Sequence, residues 1–340
     1  MKVGLLGAGF MGHMHAFCYA RMPDVELALI SDVSLESAID IATHYGGRAT
    51  TDSTEPFISP DIDFVDICLP SYLHREYVVK AADAGKHVLC EKPIALSMED
   101  ANVMIKATKA AGVKFMVAHV VRFWPEYLQL KHIYNRKALG KLQTLTMTRL
   151  SSYPMWAKNP RDYQYHGGAM LNLHIHDVDF LLFMLGKPRS VFAQGNWNHI
   201  ISTFGYSGSP VVTAEGGFLP TASFPFQMAF RATFTNGVAE YNSCRSPTLC
   251  IYHQGAKKPE YPELKPKLEV RADAGGNIDT PWAYYSEIRY FVDCLRDDKE
   301  LKVCNGETAR ESLEVISYEK CSLEEKDKIS IERAQECTEG

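Results

Sequence analysis

The sequence predicts two domains: a parallel α/β domain over residues 1–121 and an α+β domain over residues 122–340. The first part alternates short apolar strands with helical stretches, an order typical of a doubly wound parallel sheet. From Arg122 onward, β-like runs follow one another with few helices between them, which favours an antiparallel sheet. The length of 340 residues also agrees with two domains rather than one.

Five strands and four helices are predicted in the first domain. The apolar runs that read as strands are "KVGLLGA", "VELALISD", "FVDICLP", "HVLCEKP" and "KFMVAHV". Stretches with apolar residues at helical spacing lie between them: "MGHMHAFCYARM", "SLESAIDIATHYG", "HREYVVKAADAG" and "MEDANVMIKATKAAG".

The second domain opens with a predicted helix at "FWPEYLQLKHIYNRKALGK" and closes with two more, at "WAYYSEIRYFVDCLRD" and "GETARESLEVISYEKC". Six β-like runs separated by turn residues lie between them: "LQTLTMTRL", "SVFAQGNWN", "PVVTAEGGF", "FQMAFRATF", "GVAEYNSC" and "KLEVRAD". We expect the polar residues after Ile331 to be mobile.

Composition excludes several classes of protein. The net charge is −5 and no long basic run occurs, which argues against nucleic acid as a partner. No apolar stretch is long enough to cross a bilayer, and the N-terminal glycines and histidines interrupt any signal-peptide core. The nine cysteines include no C-x-x-C pair, which is typical of reduced thiols. We therefore expect a cytoplasmic protein that neither binds a membrane nor contains disulfides.

The stretch "LLGAGFMG" carries a phosphate-binding glycine motif. Gly7, Gly9 and Gly12 have the spacing G-x-G-x-x-G, after a predicted strand and at the start of a predicted helix. In that setting the glycines serve the tight turn, the approach of a pyrophosphate and close helix packing. The alternative is a glycine-rich turn without a ligand.

Asp32 supports the nucleotide interpretation independently. It ends the second strand about twenty residues after the glycines, where a carboxylate binds the ribose hydroxyls and repels a 2′-phosphate. The sequence therefore favours NAD over NADP. Alternatively, Asp32 caps the helix that starts near Ser34.

Lys92 follows a buried strand in "HVLCEKP", between Glu91 and Pro93. Ligands of doubly wound sheets bind beyond the carboxyl ends of the strands, so Lys92 is predicted on the cofactor side. A partly desolvated lysine beside a cationic nicotinamide has a lowered pKa and can pass a proton. The alternative is a surface lysine paired with Glu91.

Several motifs together resemble the Gfo/Idh/MocA oxidoreductases, the glucose–fructose oxidoreductase and inositol dehydrogenase group. They are "GAGFMG", "LPSYLH", "CEKP", "VVRFWP" and "HGGAMLNLHIHDVDFLLFMLG", and the resemblance covers nearly the whole chain. It implies an N-terminal Rossmann domain, a C-terminal domain with a large open antiparallel sheet, and a homo-oligomer, a dimer or tetramer, formed through that sheet. It also implies NAD(P)-dependent oxidation or reduction of sugars and polyols. Lys92 would lie beside the nicotinamide, and further cofactor contacts would come from Phe10, Met11, Leu69, Pro70, His74 and Glu91.

The second motif supplies a candidate base. Residues 168–184 are predicted to be helical, with Asn172 and His176 on one face and Asp179 nearby. An imidazole titrates near neutral pH and can remove a hydroxyl proton, and the resemblance assigns His176 that work. Many family members carry Asp where this chain has Asn172, which cannot take a proton. Glycine is frequent in the family at the position of His174.

Other candidate residues have weaker support. The cluster of His166, His174, His176, Asp177 and Asp179 lacks metal-ligand spacing, so no metal is predicted. The loop "SSYPMWAKNPRDYQYHGG" offers Trp156, Lys158, Arg161 and Tyr163 as sugar contacts, or is an ordinary surface loop. His119 and Arg122 follow the last strand of the first domain, and Arg122 could contact substrate or tie the domains together.

Three functions remain open from sequence. The first is an NAD-dependent dehydrogenase that acts on a secondary hydroxyl of a sugar, polyol or glycoside, with Lys92, Asn172 and His176 in the catalytic site. The second is a redox-neutral enzyme that oxidises a sugar at C3 and later returns the hydride from tightly held NAD. The third is an NAD-binding sensor that has lost catalysis, for which only Asn172 argues.

Overall fold

The structure is a computed structural model that describes residues 1–153, 166–208, 210–264 and 281–331. These residues form two compact units. The first contains residues 1–123 and 281–310, and the second contains residues 124–264 and 311–331. The predicted sugar-contact residues Trp156, Lys158, Arg161 and Tyr163, the predicted strand "KLEVRAD" and the tail after Ile331 lie outside the described residues.

A six-stranded parallel sheet forms the centre of the first unit, in the order β3-β2-β1-β4-β5-β6. The five predicted strands are present, and the additional strand β3 has three residues. Because the chain runs outward from β1 and then returns to β4, the sheet reverses its order between these strands, where such folds bind nucleotides. The strands are β1 (Lys2–Leu6), β2 (Glu26–Ser31), β3 (Arg48–Thr50), β4 (Phe64–Ile67), β5 (His87–Glu91) and β6 (Phe115–Ala118).

Helices connect these strands, as the sequence predicts. Ser34 caps α2 and Ser97 caps α5: the side-chain oxygens accept the N–H groups of Ser37 and Asp100 at 3.2 and 3.1 Å. The helices are α1 (Phe10–Tyr19), α2 (Leu35–Tyr45), α3 (Glu55–Ile58), α4 (His74–Asp83) and α5 (Met98–Ala110).

The first unit also takes up a helix from far along the chain, which the continuous sequence division at residues 121 and 122 does not include. The apolar face of this helix is fully buried at Ile288, Phe291 and Val292. Phe291 meets Phe64 of β4 edge to face at 5.4 Å between ring centroids. Arg289 donates to both carboxylate oxygens of Asp24, at 2.5 and 3.0 Å. Burial of this face explains why residues 281–310 group with the parallel sheet.

The second unit contains an eight-stranded sheet in the order β13-β12-β11-β7-β10-β9-β8-β14. Its pairings are antiparallel except for β7 with β10, which run parallel, so the predicted antiparallel sheet is a mixed one. Strands β9, β13 and β14 are not among the predicted runs. The strands are β7 (Leu142–Ser152), β8 (Ser190–Asn196), β9 (His199–Gly205), β10 (Val211–Leu219), β11 (Gln227–Phe234), β12 (Gly237–Asn242), β13 (Leu249–His253) and β14 (Ile329–Ser330).

The remaining helices match their predicted positions. They are α6 (Pro125–Arg136), α7 (Ile175–Leu185), α8 (Trp282–Arg296), which is the helix added to the first unit, and α9 (Gly306–Glu325). Among the described residues, no helix is both long enough and apolar enough to span a membrane.

We expect Phe291→Ala to destabilise the first unit by about 3–5 kcal/mol, because it leaves a cavity against β4. Hydrogen exchange should accelerate in β1 and β4 and stay unchanged in β7 and β10. Val33→Ala is the control, since Val33 is 98% exposed and its loss should change stability by less than about 0.5 kcal/mol. Faster exchange in β7 and β10 alone would show that α8 stabilises the other unit.

Candidate active site

The glycine motif forms a turn that only glycine fits. Gly7 has φ +100°, and a Cβ there would lie 2.5 Å from the carbonyl oxygen of Cys68. A Cβ on Gly12 would lie 2.1 Å from the carbonyl oxygen of Gly7. A Cβ on Gly9, by contrast, would meet no protein atom within 4 Å. Two glycines therefore permit close packing, and the third leaves open space beside the backbone for a pyrophosphate.

Helix α1 begins directly at this turn. Gly9 is its N-cap, no side chain caps the first N–H groups, and the first turn contains no acidic residue. Those N–H groups and the positive end of the helix dipole suit an anion. Phe10 is 44% exposed and Met11 is half-buried, so both predicted cofactor-contact residues lie on the accessible start of the helix.

Asp32 connects the glycine turn to the end of β2. Its Oδ2 accepts the N–H of Ala8 at 2.7 Å, and its Oδ1 accepts the N–H of Ser34 at 2.8 Å. The cap of α2 is Ser34 rather than Asp32. The half-buried carboxylate is thus fixed beside the phosphate turn, where an acidic residue can receive ribose hydroxyls.

His74 joins two turns at the same edge of the sheet. Its Nε2 lies 2.9 Å from the carbonyl oxygen of Leu69, and its Nδ1 lies 2.8 Å from that of Pro93. Leu69 and Pro70 follow β4, whereas Pro93 follows β5. Burial lowers the pKa of His74, although the carbonyl oxygens oppose this shift. His74 is fully buried, so its side chain positions the two turns.

Lys92 follows the carboxyl end of β5, as the sequence predicts. Glu91 is buried, and its Oε2 accepts the backbone N–H of Lys92 at 3.0 Å. The Lys92–Pro93 peptide bond is cis, and the Lys92 side chain is half-buried. The lysine that the sequence singles out therefore lies on the same edge of the sheet as the glycine turn.

His119 and Arg122 are buried within the first unit. Arg122 lies in a short 3₁₀ turn and its Nη1 donates to the hydroxyl of Thr308 at 3.4 Å. The side chains of His119 and Arg122 are 1% and 4% exposed. Arg122 thus contacts α9 within its own unit rather than projecting into solvent.

In the second unit, the predicted helix of residues 168–184 is α-helical only from Ile175. Met170–His174 form a π-helical turn, a local widening often found at functional sites. Between Met170 and Leu181, the partly exposed residues are Asn172 and His176, and the others are buried. Asn172 and His176 therefore lie on the same accessible side, as predicted. The π-helical turn, however, changes the regular α-helical spacing that the prediction assumed.

A buried ion pair anchors this helix. Arg149 of β7 donates to Asp177 through Nε at 3.1 Å and Nη2 at 2.8 Å, and Nη2 also donates to the hydroxyl of Tyr127 at 3.2 Å. Arg149 and Asp177 are 1% and 0% exposed. Burial opposes the charge of Arg149, but the Asp177 carboxylate outweighs it and raises the arginine pKa.

Two further buried contacts hold the helix against α9. His174 Nε2 lies 2.8 Å from Glu319 Oε1, and Ser312 Oγ donates to Asp179 Oδ1 at 2.7 Å. Burial alone lowers the pKa of His174, but the charge and hydrogen bond of Glu319 outweigh it and raise the pKa. Gly216 makes room for His174, because a Cβ on that glycine would lie 2.5 Å from the histidine Cβ.

Asn172 is built into the turn that precedes it. Its Nδ2 donates to the carbonyl oxygens of His166 and Gly168, each at 2.8 Å. A carboxylate cannot donate, so Asp at this position would oppose two carbonyl oxygens. The replacement of the family's usual Asp by Asn172 is therefore matched to the local backbone, and the amide oxygen is the part suited to accept a hydroxyl.

Three residues of the predicted histidine and acidic cluster serve as structural contacts. Asp177, Asp179 and His174 bind Arg149, Ser312 and Glu319, as described above. The His/Asp/Cys group with clustered ligand atoms in the described residues is His15, Asp66 and Cys68. His15 Nδ1 lies only 2.7 Å from Asp66 Oδ2, a hydrogen-bond distance. Two ligands of a tetrahedral ion, each bound at about 2.0 Å, would lie about 3.3 Å apart.

Two family models match the chain over more than half of its length. Residues 1–119 match the oxidoreductase family with an NAD-binding Rossmann fold, and residues 127–236 match the GFO/IDH/MocA C-terminal domain. The chain belongs to the Gfo/Idh/MocA oxidoreductase family. Its first unit is accordingly an NAD-binding domain, and the glycine turn, the uncapped start of α1 and Asp32 fit that cofactor.

Two curated proteins are similar to this chain. Levoglucosan dehydrogenase of Pseudarthrobacter phenanthrenivorans is 30% identical over 218 residues, which cover 60% of this chain and 54% of the relative. Myo-inositol 2-dehydrogenase of Thermotoga maritima is 33% identical over 199 residues, 58% of each chain. The chain thus matches only a little more than half the length of these relatives.

A solved structure shares the fold of this chain. Levoglucosan dehydrogenase in complex with NADH and levoglucosan superposes with a TM-score of 0.83 at 21% identity, covering 97% of this chain and 99% of that one. At this identity the similarity demonstrates a common fold.

Asn172→Asp should destabilise the protein by about 1–3 kcal/mol near neutral pH, because the introduced carboxylate opposes two carbonyl oxygens. The loss should shrink as the pH falls, since a protonated carboxyl group can donate to one of them. Urea unfolding at several pH values measures this. Asn172→Ala is the control, and its loss should not depend on pH; equal pH dependence in both variants would contradict the explanation.

His174 should stabilise the fold most at low pH. Because its folded-state pKa is raised, its contribution is complete below the unfolded value of about 6.5 and disappears as the pH rises through the folded value. His174→Gln should therefore be destabilised most near pH ~6, with a smaller difference from the parent near pH ~9. The exposed residue His132 offers a control, since His132→Gln should show no such trend. A difference that widens with pH would contradict a charged His174–Glu319 pair.

Proposed function

We propose that this protein is an NAD-dependent dehydrogenase that acts on a secondary hydroxyl of a sugar or polyol. The observation that carries the proposal is Lys92 at the end of β5, on the NAD-binding edge of the first unit. The second unit separately presents Asn172 and His176 on the accessible side of an anchored helical segment. The two curated relatives, named for levoglucosan and myo-inositol, support the substrate class.

Cofactor binding is assigned to the first unit. Bound NAD supplies the acceptor for a hydride. The N–H groups at the start of α1 bind the pyrophosphate, and Asp32 accepts hydrogen bonds from the ribose hydroxyls. The Asp32 carboxylate would repel a 2′-phosphate, so we propose NAD over NADP. Leu69, Pro70 and Glu91 shape the adjacent turns.

Substrate chemistry is assigned to three side chains. His176 takes the hydroxyl proton as the hydride leaves the same carbon, which is the work of a general base. Lys92 donates to the reacting oxygen and stabilises the negative charge that develops on it. Asn172 accepts a neighbouring hydroxyl through its amide oxygen and, unlike a carboxylate, takes no proton. Proton removal is therefore assigned to His176, and stabilisation of the developing charge is assigned to Lys92.

The anchoring contacts explain how such a base would keep its position. Neighbours of His176 are fixed through Arg149–Asp177, His174–Glu319 and Ser312–Asp179. Rigid support of this kind lowers the entropy cost of aligning a base with its proton. We also propose a homo-oligomer formed through the eight-stranded sheet, where Ile201 and Val211 are exposed on adjacent strands.

The test follows reduced-nicotinamide absorbance with NAD and with NADP against inositols, hexoses, anhydrosugars and glucosides. We expect turnover with NAD, and a decrease of about 10²–10⁴-fold in kcat for His176→Gln. Lys92→Met should lose kcat similarly, whereas His132→Gln should retain parental rates. Asp32→Asn should raise the ratio of NADP to NAD use, since it removes the repelling charge and keeps an acceptor oxygen.

The same samples separate the alternatives. Retained nicotinamide cofactor after denaturation, without bulk turnover, would replace the proposal with a redox-neutral reaction. NAD binding without transformation of any substrate would favour a sensor. Full activity in His176→Gln would refute the assigned base and leave the dehydrogenase itself standing.

A further inference from the structure

His15 lies in a buried polar cluster that ends at the Lys92 turn. His15 and Asp66 are fully buried, and Tyr19 and Glu91 are 1% and 6% exposed. Asp66 receives His15 Nδ1 at 2.7 Å, the Tyr19 hydroxyl at 2.8 Å and the Cys68 thiol at 3.6 Å. Because Asp66 offers acceptor oxygens to three donors, His15 carries a proton on Nδ1.

The other nitrogen of His15 faces a second carboxylate. Nε2 lies 3.4 Å from Glu91 Oε1, an ion-pair distance, while Glu91 Oε2 accepts the N–H of Lys92 at 3.0 Å. A neutral imidazole would present a lone pair to that carboxylate, so a second proton turns repulsion into attraction. The cluster thus forms a chain from Asp66 through His15 and Glu91 to Lys92.

The charges of the neighbouring carboxylates favour a His15 ring that is protonated on both nitrogens. Burial alone lowers the pKa of His15, but the charge of Asp66 outweighs this and raises the pKa well above its usual value. Burial raises the pKa of Glu91, but the close approach and charge of His15, and the charge of Lys92, lower it overall. Glu91 is therefore ionised between two cations.

We propose that His15 is a positioning residue that carries a positive charge and, by neutralising Glu91, controls the protonation of the Lys92 amine. The two carboxylates Asp66 and Glu91 are balanced by His15 and Lys92. Without the charge of His15, Lys92 would face an unbalanced carboxylate and would hold its proton more strongly. With it, Lys92 releases a proton more readily. This inference rests on the role proposed for Lys92.

The thiols and the tyrosine hydroxyl around His15 do not supply the positive charge that balances Glu91. Burial raises the pKa of the Cys68 and Cys18 thiols and of the Tyr19 hydroxyl, which keeps all three neutral. The groups around His15 are Cys18 and Tyr19 on its own helix, Asp66 and Cys68 on and after β4, and Cys90 and Glu91 on β5. Arg21, just after α1, and Glu287 of α8 act on Cys18.

The experiment measures how fast an amine-specific acylating reagent labels Lys92 as a function of pH, quantified by peptide mass spectrometry. It uses the full chain without added NAD or sugar, between about pH 6 and about pH 10. His15→Gln removes the cation, Glu91→Gln removes the anion, and the double variant removes both. Circular dichroism checks that each variant folds. His44→Gln is the control, because that histidine is exposed on α2 of the same unit.

We expect the two single variants to shift the labelling midpoint in opposite directions, and the double variant to show no net shift. The labelling midpoint should rise by about 0.5–1 pH unit in His15→Gln, fall by a similar amount in Glu91→Gln and return close to the parental value in the double variant. His44→Gln should not move it. Shifts in the same direction, or an unchanged midpoint in His15→Gln, would overturn the proposal, because a purely structural role predicts no cancellation.

A second measurement covers the case in which His15→Gln does not fold. Nitrogen-15 NMR of histidine-labelled protein near pH ~8 should show the His15 ring protonated on both nitrogens, in addition to any signal from the His174–Glu319 pair, above the usual histidine pKa of about 6.5. Tyr19→Phe assigns this signal to His15, since it removes a donor that shares Asp66. A singly protonated His15 ring would overturn the proposal. Both measurements need no substrate, so they succeed or fail independently of the proposed dehydrogenase activity.

Discussion

The parallel alignment of β1, β2, β4 and β5 is the constraint on which the rest of the first unit depends. These strands end at one edge of the sheet. That edge therefore brings together segments that are far apart in sequence: the glycine turn, Asp32, the Leu69–Pro70 turn and Lys92. Close packing then fixes their spacing: Gly12 lies against the Gly7 carbonyl, and His74 connects the turns after β4 and β5. A cofactor site of this kind is a consequence of strand direction, refined by a few buried polar contacts.

The second unit holds a short polar segment rigidly on its large sheet. It does so with charges in the interior, where an unpaired charge would cost several kcal/mol, on the order of 3–5. Arg149 satisfies Asp177 through two hydrogen bonds, and Glu319 satisfies His174. Such pairs add little net stability compared with apolar packing, but they admit one orientation of the helix. Asn172 completes the arrangement by closing its own turn.

Local sequence patterns predicted most of the helices and strands. The features that they missed depend on pairing between residues far apart in the chain. Strands with apolar runs were found, whereas the three residues of β3 carry no periodicity. Lys92, Asn172 and His176 were singled out by motif. The partners that position them were not: Arg149 and Asp177 are 28 residues apart, His15 and Asp66 are 51 apart, and His174 and Glu319 are 145 apart. The second histidine of "GHMHAF" was a signal for the His15 cluster, but the sequence alone could not name its carboxylates.

The return of α8 to the first unit has a consequence for the order in which the protein is made. Its buried face covers Phe64 of β4, yet α8 is encoded after seven of the eight strands of the second sheet. A nascent chain on the ribosome therefore exposes that apolar surface of the nucleotide-binding domain while the 173 residues from 124 to 296 are added, at about 5–20 residues per second. For on the order of ten seconds or more, the domain is present but incomplete, and it exposes an apolar face of the kind that chaperones shield during translation.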